Sequence, residues 1–241
     1  MFGNICMQYY LDEDTYNKLF EKFGLTKGNQ KKQFSNNPII EISLLDIVYE
    51  SFGHTHFFWV TVNVNLLYGM EKGSFIPMDK VDCDSFSKLL TQAYKKTFGD
   101  EIENGIRKRE YHYCTYVEYM AFVKTEDANA LMYKLEQGNF SDEQLAINCF
   151  DSYRLKNAYI TFTVNKLDNE VIRLCAKIPG TALKRIFKVN SDLVEGHIPH
   201  TTIDKVLDKE KAAEILYRQV VKYIKPDVPH ELSQKIIYAA L

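Results

Sequence analysis

Hydrophobic and polar positions alternate most regularly between His54 and Gly69, HTHFFWVTVNVNLLYG. Phe58, Val60, Val62 and Val64 share one parity and Trp59, Thr61, Asn63 and Asn65 the other, the two-residue period of a strand with one face in the core. His54 and His56 stand two residues apart, so a strand that begins early enough projects both imidazoles to one face. Ile39 to Tyr49 reads as the preceding strand, and a turn at Ser51 to Gly53 pairs the two as an antiparallel hairpin. A second hairpin runs through Ala158 to Val164, a turn at Leu167 to Asn169, and Val171 to Ile178; Arg173 and Lys177 share its more polar face. Arg107 to Val123 is a third strand candidate, rich in aromatic residues.

Between these stretches the period changes to that of helices. Tyr16, Leu19, Phe20 and Phe23 recur at helical spacing over Asp12 to Phe23, with Asp12 or Asp14 as cap. Asp84 to Phe98 carries the apolar stripe Phe86, Leu89, Leu90, Tyr94 and Phe98, with Asp84 as cap and Gly99 as stop. Thr125 introduces a helix with Ala128, Leu131, Met132 and Leu135 inward, ending near Gly138, and Asp208 caps one that continues through Lys222. Lys27 to Asn37 and Glu195 to Thr202 read as loops. Asn139 to Asp151 is looser, with one helical turn around Glu143 to Ile147. A break at Pro226 to Pro229 precedes a last helix bearing Leu232, Ile236, Ile237 and Ala240. Hairpins interleaved with helices predict an α+β fold, an antiparallel sheet with helices packed on it. The expected organisation is a single domain, 1–241, of two intimately packed halves, about 1–138 and 139–241.

Composition narrows the function classes. With 241 residues, 46 % hydrophobic and 13 % aromatic, the chain can bury a sizeable core, which argues against disorder. A net charge of −2 and a pI near 6.3 leave a nucleic-acid partner dependent on a local basic patch. The five cysteines, at 6, 83, 114, 149 and 175, have no CxxC spacing, so they read as reduced thiols of an intracellular protein. No apolar run approaches the roughly 20 residues of a bilayer span, so no membrane partner is expected.

Four segments carry a resemblance: HFFWVTVNVNLLYG, the stretch around REYHYC at Arg109 to Cys114, VIRLCAK at Val171 to Lys177, and the closing VLDKEKAAEILYRQVVKYI. In order and spacing they resemble the rolling-circle replication initiators of plasmids and phages, the phage gene II-like Rep proteins of the HUH endonuclease class, over roughly Trp59 to Leu241. The resemblance implies a sheet-based domain that binds an origin, nicks one DNA strand with a tyrosine and holds a divalent metal, magnesium or manganese, to polarise the phosphate. It implies metal ligation by His54 and His56, with His112 brought near if the strands neighbour one another. Tyr217 and Tyr223, on the late helix, are the candidate nucleophiles. The location implied is the cytoplasm of a bacterial host.

The departures are specific. Thr55 stands between the histidines where the class has a bulky apolar residue, and the pair precedes the resembling segment. Glu110 and His112 stand where the family has Arg and Asp, and Cys175 where it has an acid, a hard oxygen that a thiol does not replace for magnesium. Two readings stay open: an active strand-nicking enzyme, or a scaffold that has lost its chemistry.

For DNA contact, single strands included, the candidates are Arg107, Lys108 and Arg109 with Tyr111 and Tyr113, then Arg173 and Lys177, then Lys184 and Arg185, beside Lys188. Arginine forks meet several phosphate oxygens, and interleaved aromatics stack bases. The commonplace alternative for each cluster is an ordinary solvated surface. For the histidines it is a turn before a strand, and for the tyrosines core packing. The alternative function is a phage-encoded inhibitor that binds a host enzyme or defence complex on the same scaffold, its aromatic surplus serving as interface anchors.

Overall fold

The structure, a computed structural model, describes residues 1–23, 38–49, 53–71, 73–107, 113–137, 144–149, 151–157, 159–187 and 201–223. The described chain runs β1 (Phe2–Leu11), α1 (Glu13–Phe23), β2 (Ile40–Tyr49), β3 (Gly53–Asn63), α2 (Val64–Leu67), α3 (Cys83–Phe98), α4 (Asp100–Arg107), β4 (Tyr113–Lys124) and α5 (Ala128–Gln137). It continues through β5 (Gln144–Cys149), β6 (Ser152–Lys156), β7 (Thr161–Lys166), β8 (Val171–Pro179), α6 (Gly180–Ile186), β9 (Thr201–Thr202), α7 (Ile203–Val206) and α8 (Lys209–Tyr223). The strands form one sheet in the order β2-β3-β1-β4-β8-β7-β6-β5, with β9 pairing the start of β4. Every pairing is antiparallel.

The first four strands make a split βαβ arrangement, in which the β2–β3 hairpin folds back so that β3 pairs β1. Strands β5 to β8 are a meander whose final strand returns to β4. The two halves join at β4 and β8, which pair from Tyr116↔Pro179 to Lys124↔Val171, so the sheet is continuous from one to the other.

Alternation sets which face is dry. Ile5, Met7, Tyr9 and Leu11 on β1, Phe58, Val60 and Val62 on β3, and Ile172, Leu174, Ala176 and Ile178 on β8 are all buried. Each large side chain there contributes about 1.5–3 kcal/mol through removal from water. Helices cover this face: Tyr94 and Phe98 of α3 pack edge-on against Tyr9 and Phe58, Tyr119 of β4 donates to the Val206 carbonyl of α7 at 2.8 Å, and Tyr223 of α8 stacks on Phe162 of β7.

Several elements differ from the sequence expectation. Residues 100–106, which carried no assignment, and Arg107, placed at the start of a strand, form α4: Asp100, Glu101 and Glu103 favour a helix N-terminus, and buried Ile102 and Ile106 stand four apart. The turn expected around Glu143 to Ile147 is instead edge strand β5, because Ser152–Lys156 offers it a pairing partner. The cap of α3 is Asp82, whose carboxylate accepts from the Ser85 N–H at 2.8 Å, and not Asp84. Asp12 and Asp208 do cap α1 and α8 through the amides of Thr15 and of Glu210 and Lys211. The expected loops at Lys27 to Asn37 and Glu195 to His200, and the last helix, lie outside the described residues. Among the described residues no helix is long and apolar enough to cross a membrane.

Candidate nucleic-acid interface

The opposite face of the sheet is only partly exposed, with Cys6, Phe57, Met120 and Ser152 buried on it, and the antiparallel register states what stands beside what. On β8 the outward parity is Val171, Arg173, Cys175 and Lys177; on β7 it is Thr161, Thr163 and Asn165, and on β6 Ser152, Arg154 and Lys156. Lys156 pairs Thr161, which pairs Lys177; Ser152 pairs Asn165, which pairs Arg173. Residues directly opposite on one face have Cβ atoms about 5 Å apart, so four cations from two strands form one lattice with hydroxyl and amide groups between them. Arg154, Lys156 and Lys177 are exposed. Arg173 is oriented by Asn165, whose Oδ1 accepts from its Nη2 at 3.0 Å while the Asn165 amide donates to Ser152 Oγ at 2.7 Å.

The lattice ends at β4. Glu118 pairs Lys177 in register and accepts the Asn4 side-chain amide at 2.9 Å, and its carboxylate lies 3.6 Å from Lys177 Nζ. Lys177 also sits 4.0 Å above the Tyr116 ring. Cys175 faces outward between Met120 and Thr163 in register, and burial pushes its thiol up to about 12. It is therefore a protonated thiol near neutral pH, and not the carboxylate the Rep resemblance calls for.

Beyond Glu118 the same face turns aromatic. Tyr10 of β1 lies 5.0 Å from Phe57 of β3, and Phe57 stacks on Trp59 at 5.6 Å and 18°. The Trp59 indole donates to Gln8 Oε1 at 3.2 Å, and Tyr113 of β4 pairs Gln8 from the other side. Phe122, also outward on β4, is covered by Phe75 at 4.5 Å.

The structure brings some of the sequence-predicted residues together and separates others. Arg173, Lys177 and Tyr113 share the partly exposed face. Arg107 ends α4, its side chain outside the description, and Lys108, Arg109, Tyr111, His112 and Lys188 lie outside the described residues. Lys184 and Arg185 sit in the last turn of α6, where Arg185 hydrogen-bonds the Tyr159 hydroxyl and lies 4.7 Å from its ring.

Metal ligation fits poorly with the described residues. His56 takes the parity of Phe58, the helix-covered one, and its ring stacks on Tyr16 of α1 at 3.9 Å and 19° with Nδ1 buried. That position lies behind the sheet from the cationic lattice. His54, in β3, pairs Val48 of β2 through its backbone, its side chain outside the description. Among the described residues no group of three His, Cys, Asp or Glu is placed to hold a metal ion.

Nor does the candidate nucleophile reach that position. Tyr223 is 5 % exposed, stacked on Phe162 of β7, and β7 is four strands from the β3 of His56, roughly 19 Å at about 4.8 Å per strand. Tyr217, half-buried on the same helix, precedes it by about 9 Å along the axis.

Sequence reasoning missed Arg154 and Lys156 because β6 is five residues long, although SYRLK does alternate. It also passed over Tyr10, on a strand that it did not assign.

No family model and no curated protein matches the chain. Among solved structures, two di-domain aromatase/cyclases give weak likenesses. BexL from the BE-7585A biosynthetic pathway is 9 % identical, over 85 % of this chain and 73 % of that one, with a TM-score of 0.26. StfQ from the steffimycin biosynthetic pathway is 11 % identical, over 83 % and 69 %, with a TM-score of 0.22.

Proposed function

We propose that the protein binds DNA through the partly exposed face of its sheet, as a replication-initiator-like protein of a phage or mobile element acting in the cytoplasm of a bacterial host. The observation that carries this reading is the gathering of Arg154, Lys156, Arg173 and Lys177 on one side of a chain whose net charge is −2. Phosphate binding depends on such a local field and not on the whole-molecule charge. The positions of His56 and Tyr223 lend no support to the nicking step of the resembling family, so binding, and not strand cleavage, is the activity proposed.

The test is fluorescence anisotropy of labelled DNA against the full chain across a salt series. Binding that weakens steeply with salt, and weakens less steeply when Arg154 and Lys177 are both changed to Gln, is the expected result. Binding absent at low salt, with the fold intact by circular dichroism, would sink it.

Tyr10 and Trp59, partly exposed with buried Phe57 between them, favour a second reading, a phage inhibitor that docks the two outer rings on a host enzyme or defence complex. Absent DNA binding, together with loss of host-enzyme inhibition in Trp59→Ala, would select it.

A further inference from the structure

We infer that the free edge of β2 is a docking site for an extended segment of a partner protein, added as an antiparallel strand and carrying lysine or arginine at alternate positions. It stands apart from the DNA-binding reading, because it uses the rim of the sheet and not its face.

The chain repeats one plan. β1, α1, β2 and β3 are a strand, a helix and a hairpin, and β4, α5, β7 and β8 are the same, with β5 and β6 inserted before the hairpin. In each unit the second hairpin strand returns to pair the first strand, β3 with β1 and β8 with β4, and β1 and β4 pair each other. The order β2-β3-β1-β4-β8-β7 is therefore symmetric about the seam between β1 and β4. The symmetry ends at the outer strands. β7 is flanked by β6, from Ser152↔Asn165 to Lys156↔Thr161, whereas among the described residues β2 pairs β3 alone.

The rim of β2 is built to pair. In an antiparallel ladder alternate residues turn both backbone groups toward one neighbour. The Asn63 amide donates to the Ile39 carbonyl at 2.9 Å, and the register gives Glu41, Ser43, Leu45 and Ile47 the same orientation toward β3. Ile40, Ile42, Leu44, Asp46 and Val48 thus turn their N–H and C=O groups to the rim. Natural sheets blunt such edges with lysine, proline or a bulge. Ile40–Tyr49 contains no lysine, arginine or proline, and its pairing with β3 runs to Tyr49↔Gly53 without a register shift. Such an edge is a template for strand addition.

Charge selects the occupant. The only ionisable carboxylates of β2 are Glu41, partly exposed on the outward parity, and Asp46. A second copy would bring four acidic residues to one seam, whereas a cationic strand offsets two, and opposite charges directly across a ladder stabilise it. The other half of the molecule shows the pattern in place: β6 beside β7 presents Ser152, Arg154 and Lys156 outward and buries Tyr153 and Leu155. Ile40 and Ile42 of β2, both buried, call for apolar residues on the partner's inner parity in the same way.

The experiment adds a labelled ten-residue peptide alternating lysine and valine to the full chain, with a copy interrupted by two central prolines as control, and reads anisotropy and amide exchange. The expected result is micromolar binding of the lysine peptide, with the proline copy weaker by about tenfold or more. The amides of Ile40 and Ile42 exchange fast in the free chain and slow when the peptide is bound. Glu41→Lys weakens the lysine peptide by up to about fivefold and strengthens a glutamate–valine peptide by a similar factor. Ile42→Pro removes a rim donor without touching the β3 ladder and weakens the lysine peptide about fivefold; where that variant does not fold, Glu41→Lys and the exchange data decide. Absent binding, equal binding of the proline copy, affinity indifferent to Glu41→Lys, or rim amides already protected in the free chain overturns the inference. Sedimentation of the free chain as a dimer with those amides protected would put a second copy on the edge and overturns it too. None of these outcomes bears on DNA affinity.

Discussion

Tyr9 and Tyr94 show what a single buried hydroxyl does for this core. Their oxygens lie 2.9 Å apart, between β1 and α3, and Tyr9 also reaches Met7 Sδ at 3.6 Å. Burial pushes both phenols well above their ordinary value of 10, and does the same to Tyr119. An acid whose folded pKa is raised contributes stability that is fully present below its unfolded pKa and lost as pH rises toward the folded value. The melting temperature is therefore expected to hold to about pH 10 and then fall; a melting temperature that stays level well above pH 10 would contradict it. Tyr94→Phe removes one member of the pair and is expected to cost about 1–2 kcal/mol in denaturant unfolding. At the binding face, Glu118→Gln keeps an acceptor for Asn4 and removes the charge beside Lys177. It is expected to tighten DNA binding severalfold, measured by anisotropy at fixed salt; unchanged affinity would mean that phosphate never approaches β4. The sequence identified the cation pair on β8, because alternation alone places Arg173 and Lys177 on one face. It did not identify Glu118 as their boundary, because that depends on β4 pairing β8 across more than fifty residues of chain.

At the scale of elements, legibility followed length and company. The β2–β3 and β7–β8 hairpins were readable because alternation and turn chemistry agree: Asp168 Oδ1 accepts from the amides of Glu170 and Val171, and so closes the second turn. The central strand β1 was not assigned, although Ile5, Met7, Tyr9 and Leu11 alternate, because Phe2, Gly3 and Cys6 are also buried and blur the period. Helix α4 was not assigned, because only Ile102 and Ile106 mark its apolar face and the strand reading begins at its last residue, Arg107. Its Gly105 tests what that helix is for. Propensity favours Gly→Ala in a helix by about 1 kcal/mol, but a Cβ at 105 would lie 2.3 Å from Thr15 Oγ1 and 2.8 Å from Thr15 Cγ2. Thr15 is itself buried on α1 and cannot swing into solvent. Overpacking of this kind costs about 1–3 kcal/mol, so Gly105→Ala is expected to lower the unfolding midpoint, and a raised midpoint would show that α1 and α4 are not closely packed.

Taken whole, the molecule keeps two chemistries on opposite sides of one sheet. The cations that attract phosphate face away from the helices, while His56, Tyr217 and Tyr223 belong to the helix side or its covering helix. A metal at His56 could not polarise a phosphate seated on Arg173, because the sheet backbone stands between them, and Tyr223 is displaced by four further strands. In-line attack requires nucleophile and phosphate within about 3–3.5 Å of each other, and no side-chain rotation spans that separation. Incubation with supercoiled DNA in manganese is therefore expected to give no nicking dependent on Tyr217 or Tyr223. His56→Ala is expected to cost about 1 kcal/mol through loss of its stack on Tyr16 and to leave DNA affinity unchanged. Manganese-dependent nicking abolished by Tyr217→Phe or Tyr223→Phe would reverse this conclusion, since the helix layer would then have to open and carry α8 across to the histidine, a rearrangement that would also expose Phe162 and be visible as faster amide exchange along β7.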